Sequence, residues 1–205
     1  MGLYAKYVFA PLMDWSLRRQ DIEALRGRVV SQAAGDVLEI GFGTGLNLPH
    51  YTADVRRLTL LDSAELLPRR VARRVETCRA GSIERLITSA ERLPLEDQSL
   101  DCVVSTWTLC SIRDVAPALD EIRRVLRPGG KLLLMEHGRS DDPNNARWQD
   151  RLNPLQRLVA CGCNLNRPID RLLENAGFGL ERLSRERMEN VPQVLAEIYV
   201  GAAAP

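Results

Sequence analysis

Apolar runs of strand length recur at Val37 to Ile40, Leu58 to Leu61, Leu86 to Thr88, Cys102 to Thr106 and Leu132 to Met135, separated by polar stretches of helical spacing. A short apolar run bounded by turn signals reads as a strand covered on both faces, and its alternation with helices is the rhythm of βαβ units. Two later runs, Leu180 to Leu183 and Glu197 to Val200, bring the count to seven. The pattern predicts an α/β fold on a seven-stranded, mostly parallel sheet.

The clearest helix runs from Val115 to Leu126. Val115, Leu119, Ile122 and Val125 share its apolar face, Asp114 is its expected N-cap, and Arg127-Pro-Gly-Gly130 stops it. A second helix is framed by Pro168 and Gly177, with Ile169, Leu172, Leu173 and Ala176 on its buried side. Between Glu136 and Arg167 the rhythm breaks: a polar turn, Asp141 to Asn145, precedes Trp148, Leu152, Leu155, Leu158 and Val159 at helical spacing. Residues 138–167 are therefore expected to be an insertion after the fifth strand. Ligand crevices of α/β sheets lie at the carboxyl ends of the strands, where such an insertion roofs the acceptor site. Near the N-terminus Leu3, Tyr7, Val8, Leu12 and Trp15 share one side of a helix, while Lys6, Pro11 and Asp14 interrupt any apolar span. With no basic leader and no cleavage site, residues 1–34 are expected to form a helical lid and not a signal peptide or membrane span. The 205 residues then make a single domain.

The most specific segment is Asp36-Val-Leu-Glu-Ile-Gly-Phe-Gly-Thr-Gly-Leu46, an apolar run that opens directly into three alternating glycines. Gly41, Gly43 and Gly45 allow positive φ and let a ligand lie almost on the main chain. A dinucleotide-binding loop requires G-x-G-x-x-G, and Leu46 occupies the place of its third glycine, which argues against NAD. Asp62 follows at the end of the second apolar run, where a carboxylate can accept both hydroxyls of a ribose. Capping of the next helix is the alternative role for that side chain.

Composition narrows the partners. Lysine and arginine number 28 against 27 acidic residues, so no net field attracts nucleic acid or an anionic bilayer. Arg69, Arg70, Arg73 and Arg74 cluster on a helix backed by Val71 and Val75, and they read as a solvated face in preference to a phosphate patch. Cys78, Cys102, Cys110, Cys161 and Cys163 are odd in number and scattered, which suits a reducing compartment and a cytoplasmic protein. Cys161-x-Cys163 with His137 falls short of zinc-site spacing and has no second pair, so no metal is expected.

Three further segments follow the glycine loop in order: Ser89-Ala-Glu-Arg-Leu-Pro94, Asp97-Gln-Ser-Leu-Asp-Cys-Val-Val-Ser-Thr106 and Leu126-Arg-Pro-Gly-Gly130. With that loop they resemble the successive motifs of the class I S-adenosylmethionine (SAM) methyltransferases, across roughly residues 36–137. Thr108-Leu-Cys-Ser-Ile112, Met135-Glu-His137, Trp148 with Leu152 and Pro154, Gly162-Cys-Asn-Leu-Asn-Arg167, and Tyr4-x-x-Tyr7 with Pro11 and Asp14 narrow the likeness. They are similar to a methyltransferase-like family of small thiol methyltransferases that includes mammalian microsomal enzymes and soluble bacterial relatives. The mammalian members resemble each other in a long hydrophobic N-terminal anchor without counterpart here, so no integral membrane association is carried over.

The resemblance implies a Rossmann-like fold, SAM as cofactor with S-adenosylhomocysteine as product, and a small-molecule acceptor, with thiols the leading class. It also implies roles for single residues. Glu39 and the glycine loop would meet the methionine end of SAM. Asp62 would meet the ribose, with Ser63 alongside. Ser89, Ala90 and Glu91 would frame the adenine, and Thr106 would lie near the sulfonium. A helix after Gly45 would turn its N-terminal amides toward the SAM carboxylate.

Methyl transfer from SAM asks for an acceptor with a free lone pair held in line, and positioning supplies on the order of 7 to 11 kcal/mol in well-oriented models. A thiol with a pKa near ~8.5 needs little base. Of the two histidines, His50 sits in a Pro49-His-Tyr51 turn. His137 ends the fifth strand and is the candidate catalytic base or acceptor-orienting group, with a structural histidine as the alternative. Tyr7, Trp107, Cys110 and Trp148, with Phe9, are candidates for the acceptor pocket. Phospholipid or amine N-methyltransferases and quinone-pathway C-methyltransferases share the motif set and remain alternative readings, as does a SAM-binding partner subunit without catalysis.

Overall fold

The computed structural model describes residues 2–205, so the first residue of the expected N-terminal lid lies outside the described residues. Each of the seven apolar runs falls in or overlaps a strand of one sheet: β1 (Gly35–Ile40), β2 (Val55–Asp62), β3 (Ser82–Ile87, which begins four residues before the expected run and leaves Thr88 outside), β4 (Leu100–Thr106), β5 (Leu126–His137), β6 (Gly179–Arg187) and β7 (Glu197–Ala204). Their spatial order is β3-β2-β1-β4-β5-β7-β6. Only β7 runs antiparallel to its neighbours. This is the expected Rossmann-like, mostly parallel arrangement.

The helices are α1 (Ala10–Ser16, preceded by a π-wound turn, Ala5–Phe9), α2 (Gln20–Val30), α3 (Pro68–Val75), α4 (Val115–Val125), α5 (Pro143–Val159), α6 (Ile169–Asn175) and α7 (Gln193–Ala196). Successive residues of each central strand serve opposite layers, because side chains alternate across a sheet. Leu38, Ile40, Val103, Leu132 and Leu134 meet Leu119 and Ile122 of α4 and Leu173 of α6. Val37, Val104, Leu133 and Met135 meet Ile22, Val29 and Val30 of α2. Full burial of one such side chain contributes about 1.5–3 kcal/mol, so a one-residue slip of β1, which would drive Glu39 into the α4 layer, is strongly disfavoured.

Five local expectations are corrected. No α-helix follows the glycine loop: only a 3-10 turn, Leu48–His50, lies between β1 and β2, and α2 covers that place. The helix-end amides expected to face the SAM carboxylate are therefore absent there. Arg127-Pro-Gly-Gly130 lies within the start of β5, where the register jumps from Leu100 opposite Leu126 to Cys102 opposite Lys131. Asp114 occupies the N-cap position without a side-chain cap bond, and its own N–H donates to Glu91. The fourth concerns Arg70 and Arg74, which are not a solvated face but clasp the buried Asp14 of α1.

The fifth concerns the two covering helices. The apolar stripes of the N-terminal segment and of α5 do exist, but both point outward: Tyr7 is 64% exposed and Trp148 54%, with Leu3, Leu12, Trp15, Leu155 and Leu158 exposed as well. Polar bonds hold these helices instead. Gln149 of α5 accepts the Ser140 N–H at 2.9 Å and donates to the Gly138 carbonyl at 3.1 Å. The Tyr4 hydroxyl donates to the Val159 carbonyl at 2.7 Å, joining lid to insertion. No helix among the described residues is long and apolar enough to cross a membrane.

Candidate active site

A cavity of about 430 Å³ opens at the carboxyl ends of β1, β2, β4 and β5, within the size range of small-molecule sites. The glycine loop forms one wall. Gly41, at φ +68°, has no room for a side chain, since a Cβ would come within 2.1 Å of Thr108 Oγ1. Gly43, at φ +52°, is crowded by nothing nearer than the Gly41 carbonyl at 3.9 Å from a Cβ position, and it lines the cavity with its backbone. Gly45 belongs to the turn but does not line the cavity.

Asp62 lines the cavity from the end of β2 and accepts N–H bonds from Gly43 at 2.9 Å and Ala64 at 3.2 Å. It thus braces the glycine loop while presenting a carboxylate to the cavity. Burial pushes its carboxyl above the ordinary range, against the pull of those backbone bonds. Ser63, Ser89, Ala90 and Glu91 lie along the same end.

Under the loop, Glu39 is 1% exposed and accepts from Asn47 Nδ2 at 2.9 Å and the Tyr51 hydroxyl at 2.7 Å. Burial raises its carboxyl to about 7, although both bonds and the Arg26 charge act the other way. Asn47 Nδ2 also donates to Thr106 Oγ1 at 3.0 Å, tying the ends of β1 and β4.

Arg26 of α2 was not anticipated. It is 2% exposed, lines the cavity and donates through Nη1 to Asn47 Oδ1 at 2.6 Å, while Nε and Nη2 are buried without a hydrogen-bond partner. A signal existed in the sequence: Arg26 falls four residues after Ile22 and three before Val29, on the helix's apolar face. Burial lowers its pKa, opposed chiefly by the carboxylates of Glu23 and Glu39.

The other end of the cavity is assembled by Glu136, also unanticipated. Its fully buried carboxylate accepts the N–H groups of Thr108 at 2.9 Å, Leu109 at 3.0 Å and Cys110 at 3.1 Å, and the Ser105 hydroxyl at 2.6 Å. These bonds shape the loop after β4, in which Trp107 is held at φ +57°. Such a conformation costs on the order of 1–3 kcal/mol for a non-glycine residue. The Trp107 ring lies edge-on to His137 with centroids 4.5 Å apart, and both line the cavity.

Segment 162–167 latches onto that loop. The Cys110 carbonyl accepts both the backbone N–H and the side-chain amide of Asn164 at 2.9 Å, and Arg167 donates to the carbonyls of Leu109 and Ile112. Cys163 thereby comes to lie 3.6 Å from Cys110 and 3.5 Å from His137, sulfur to sulfur and sulfur to Nδ1. His137 Nε2 donates to the Leu195 carbonyl at 3.0 Å. Both ring nitrogens are thus engaged, one with the Leu195 carbonyl and one with Cys163. The contact with Cys163 and burial raise the Cys110 thiol, while the same contact and His137 lower that of Cys163.

Of the expected acceptor residues, Trp107 and Cys110 line the cavity, as does Phe9. Tyr7 and Trp148 do not, because their helices are turned with these rings toward solvent. Gln156, Ala160, Cys161 and Cys163 of the insertion line it in their stead.

A family model described as a methyltransferase domain matches residues 38–134. Human thiol S-methyltransferase TMT1B is 34% identical over 97% of this chain and 82% of its own length. Human thiol S-methyltransferase TMT1A is 35% identical over 72% of this chain and 61% of its own. A SAM-dependent methyltransferase from Aquifex aeolicus shares the fold, with a TM-score of 0.64 at 16% identity over 96% of this chain and 98% of that one. Matched along nearly its whole length to TMT1B and folded around the same sheet, the chain belongs to the class I SAM-dependent methyltransferases, in the family that contains TMT1A and TMT1B.

Proposed function

We propose that this enzyme methylates small, fairly apolar thiols, within the reducing cytoplasm that its five free cysteines suit. SAM supplies an activated methyl group on a sulfonium. The cavity fits that cofactor on an observation independent of its relatives: the unpartnered Nε and Nη2 of buried Arg26 lack an anion such as the SAM carboxylate. Glu39 would balance the cationic methionine end, Asp62 would accept from the ribose hydroxyls, and Ser89, Ala90 and Glu91 would flank the adenine. Thr106, bound to Asn47, would hold the methionine portion toward β4. Lid residues Phe9 and Met13 and insertion residues Gln156 and Ala160 would exclude water from the transfer region.

The observation that carries the thiol reading is a convergence. Segments 108–112, 135–137 and 162–167, far apart in sequence, meet at one end of the cavity through Cys110, His137 and Cys163. Among the described residues that end carries no free carboxylate base, since Glu136 spends both oxygens on the loop it shapes. A thiol needs alignment more than proton abstraction, whereas a hydroxyl acceptor needs a strong base. The enzyme's human relatives TMT1A and TMT1B, both thiol S-methyltransferases, support the same acceptor class. Incubation with SAM and a panel of thiols, amines, phospholipids and phenols, reading S-adenosylhomocysteine release, should show small alkyl or aryl thiols ahead of the rest. Methylation of a phospholipid amine or a quinone with no thiol turned over would reject this reading.

A further inference from the structure

Cys110, His137 and Cys163 arrive from three separate elements: the loop after β4, the end of β5 and the loop between α5 and α6. Their ligand atoms all lie within 4.8 Å of one another. In a tetrahedral zinc site, with Zn–S of about 2.3 Å and Zn–N of about 2.0–2.1 Å, neighbouring ligand atoms stand about 3.8 Å apart for two sulfurs and about 3.5 Å for sulfur and nitrogen. The observed Sγ–Sγ distance is 3.6 Å and the Sγ–Nδ1 distance 3.5 Å.

The surroundings are built for ligation as well. The His137 Nε2–H bond to the Leu195 carbonyl leaves the Nδ1 lone pair facing Cys163 Sγ, the outer-shell arrangement that orients metal-binding histidines. Cys110 is fixed at its N–H by Glu136 and at its carbonyl by Asn164. Two thiolates and a neutral imidazole would offset the charge of a divalent cation in this buried place. All three residues line the cavity, and among the described residues no fourth histidine, cysteine or carboxylate completes the set. Three protein ligands with one position open is the catalytic pattern of zinc, whereas structural sites are closed by four.

We propose that Cys110, His137 and Cys163 bind zinc, and that the open position takes the acceptor as its thiolate. The zinc half stands on the geometry alone; the second half rests on the thiol reading above. The acceptor thiol displaces a water from the metal and releases its proton to bulk solvent. Its sulfur lone pair then forms the new carbon–sulfur bond while the methyl–sulfonium bond of SAM breaks, the bonding electrons remaining on S-adenosylhomocysteine. The neutral thioether is a weaker ligand than the thiolate, so water replaces it.

The test uses the full chain reconstituted with zinc or cobalt(II). Expected are equimolar zinc, retained in the Cys78→Ser control, and at least tenfold weaker binding in Cys110→Ser and in Cys163→Ser. Unchanged calorimetric affinity for S-adenosylhomocysteine would show that these variants are folded. The cobalt form should show thiolate-to-metal charge transfer that shifts when an alkanethiol is added and not when an amine is. Failure of the native chain to take up metal, or retention of zinc by both serine variants, overturns the site. A cobalt spectrum indifferent to thiols overturns the role of the open position. The two readings fail separately: thiol methylation undiminished after chelation removes the metal and keeps the acceptor class, while metal binding without thiol turnover does the reverse.

Discussion

Arg26 shows how one side chain can be costly to the fold and useful to the site. A guanidinium that is 2% exposed with two nitrogens unpartnered carries a desolvation penalty that its bond to Asn47 and the charges of Glu23 and Glu39 offset only in part. Glu23 lies 3.6 Å from Nε, outside hydrogen-bond reach. Replacing Arg26 by methionine removes that penalty together with the anion partner proposed above. Arg26→Met should therefore leave the melting temperature unchanged or higher while weakening S-adenosylhomocysteine binding roughly 10- to 100-fold, the effect of losing about 1.5–3 kcal/mol of charge-assisted hydrogen bonding. Calorimetry beside a thermal melt reads both, and an unmoved affinity would detach Arg26 from the cofactor carboxylate.

At the scale of elements, the lid is fastened by charge. Asp14 of α1 is 1% exposed and paired with Arg70 and Arg74 of α3, and Arg74 Nη1 also donates to the Thr44 carbonyl in the glycine loop at 2.6 Å. One clasp thus couples lid position to loop position. Burial by itself would raise the Asp14 carboxyl, but bonds to Arg74, Thr44 and Arg70 outweigh it and hold it below its ordinary value. For a lowered carboxyl the stabilisation is present above the unfolded pKa and lost as pH falls through the folded one, so the clasp is intact at neutral pH. Asp14→Asn should leave the sheet folded, expose the first seventeen residues to limited proteolysis and weaken S-adenosylhomocysteine binding several-fold. Equal protection and equal affinity in the variant would show that the clasp does not govern the lid.

For the whole molecule, buried carboxyls set two opposing pH dependences. Burial raises Glu39 from 4.5 to about 7 and also raises Asp62 and Glu136. Between the unfolded and folded values of such a group the native state holds a proton that the unfolded chain has lost, so stability falls as pH rises through that window. Asp14, Asp36, Asp101 and Glu121 are lowered, and Asp150 is held down to about 2, so stability also falls in acid. The apo melting temperature should peak at about pH 4 to 5, near the unfolded carboxyl values, and decline toward about pH 7. Cofactor affinity should run the other way, because a cation beside Glu39 favours its ionised form: it should rise up to about tenfold per pH unit from 6 to 7 and level off above. In Glu39→Gln the affinity should lose this slope, and parallel pH dependences of stability and affinity would contradict the assignment.

What the sequence determined by itself is carried by short-range physics. Seven apolar runs with their alternation, Gly41 and Gly43 in a loop that needs positive φ, and Asp62 at a strand end follow from burial period and backbone sterics, which act over a few residues. Which side of an amphipathic helix faces inward is not of that kind. The stripes of the N-terminal segment and of α5 were legible, yet Asp14 with Arg74 and Gln149 with Gly138 turned them outward through partners about 60 and 11 residues away. Arg26 reads as an exception on its helix until Asn47 and the cavity are beside it. Most of all, Cys161-x-Cys163 is unremarkable as a pair. Cys163 acquires chemistry only when the bonds of Asn164 and Arg167 bring it across 53 residues of chain to Cys110 and onto His137, a juxtaposition that tertiary packing alone decides.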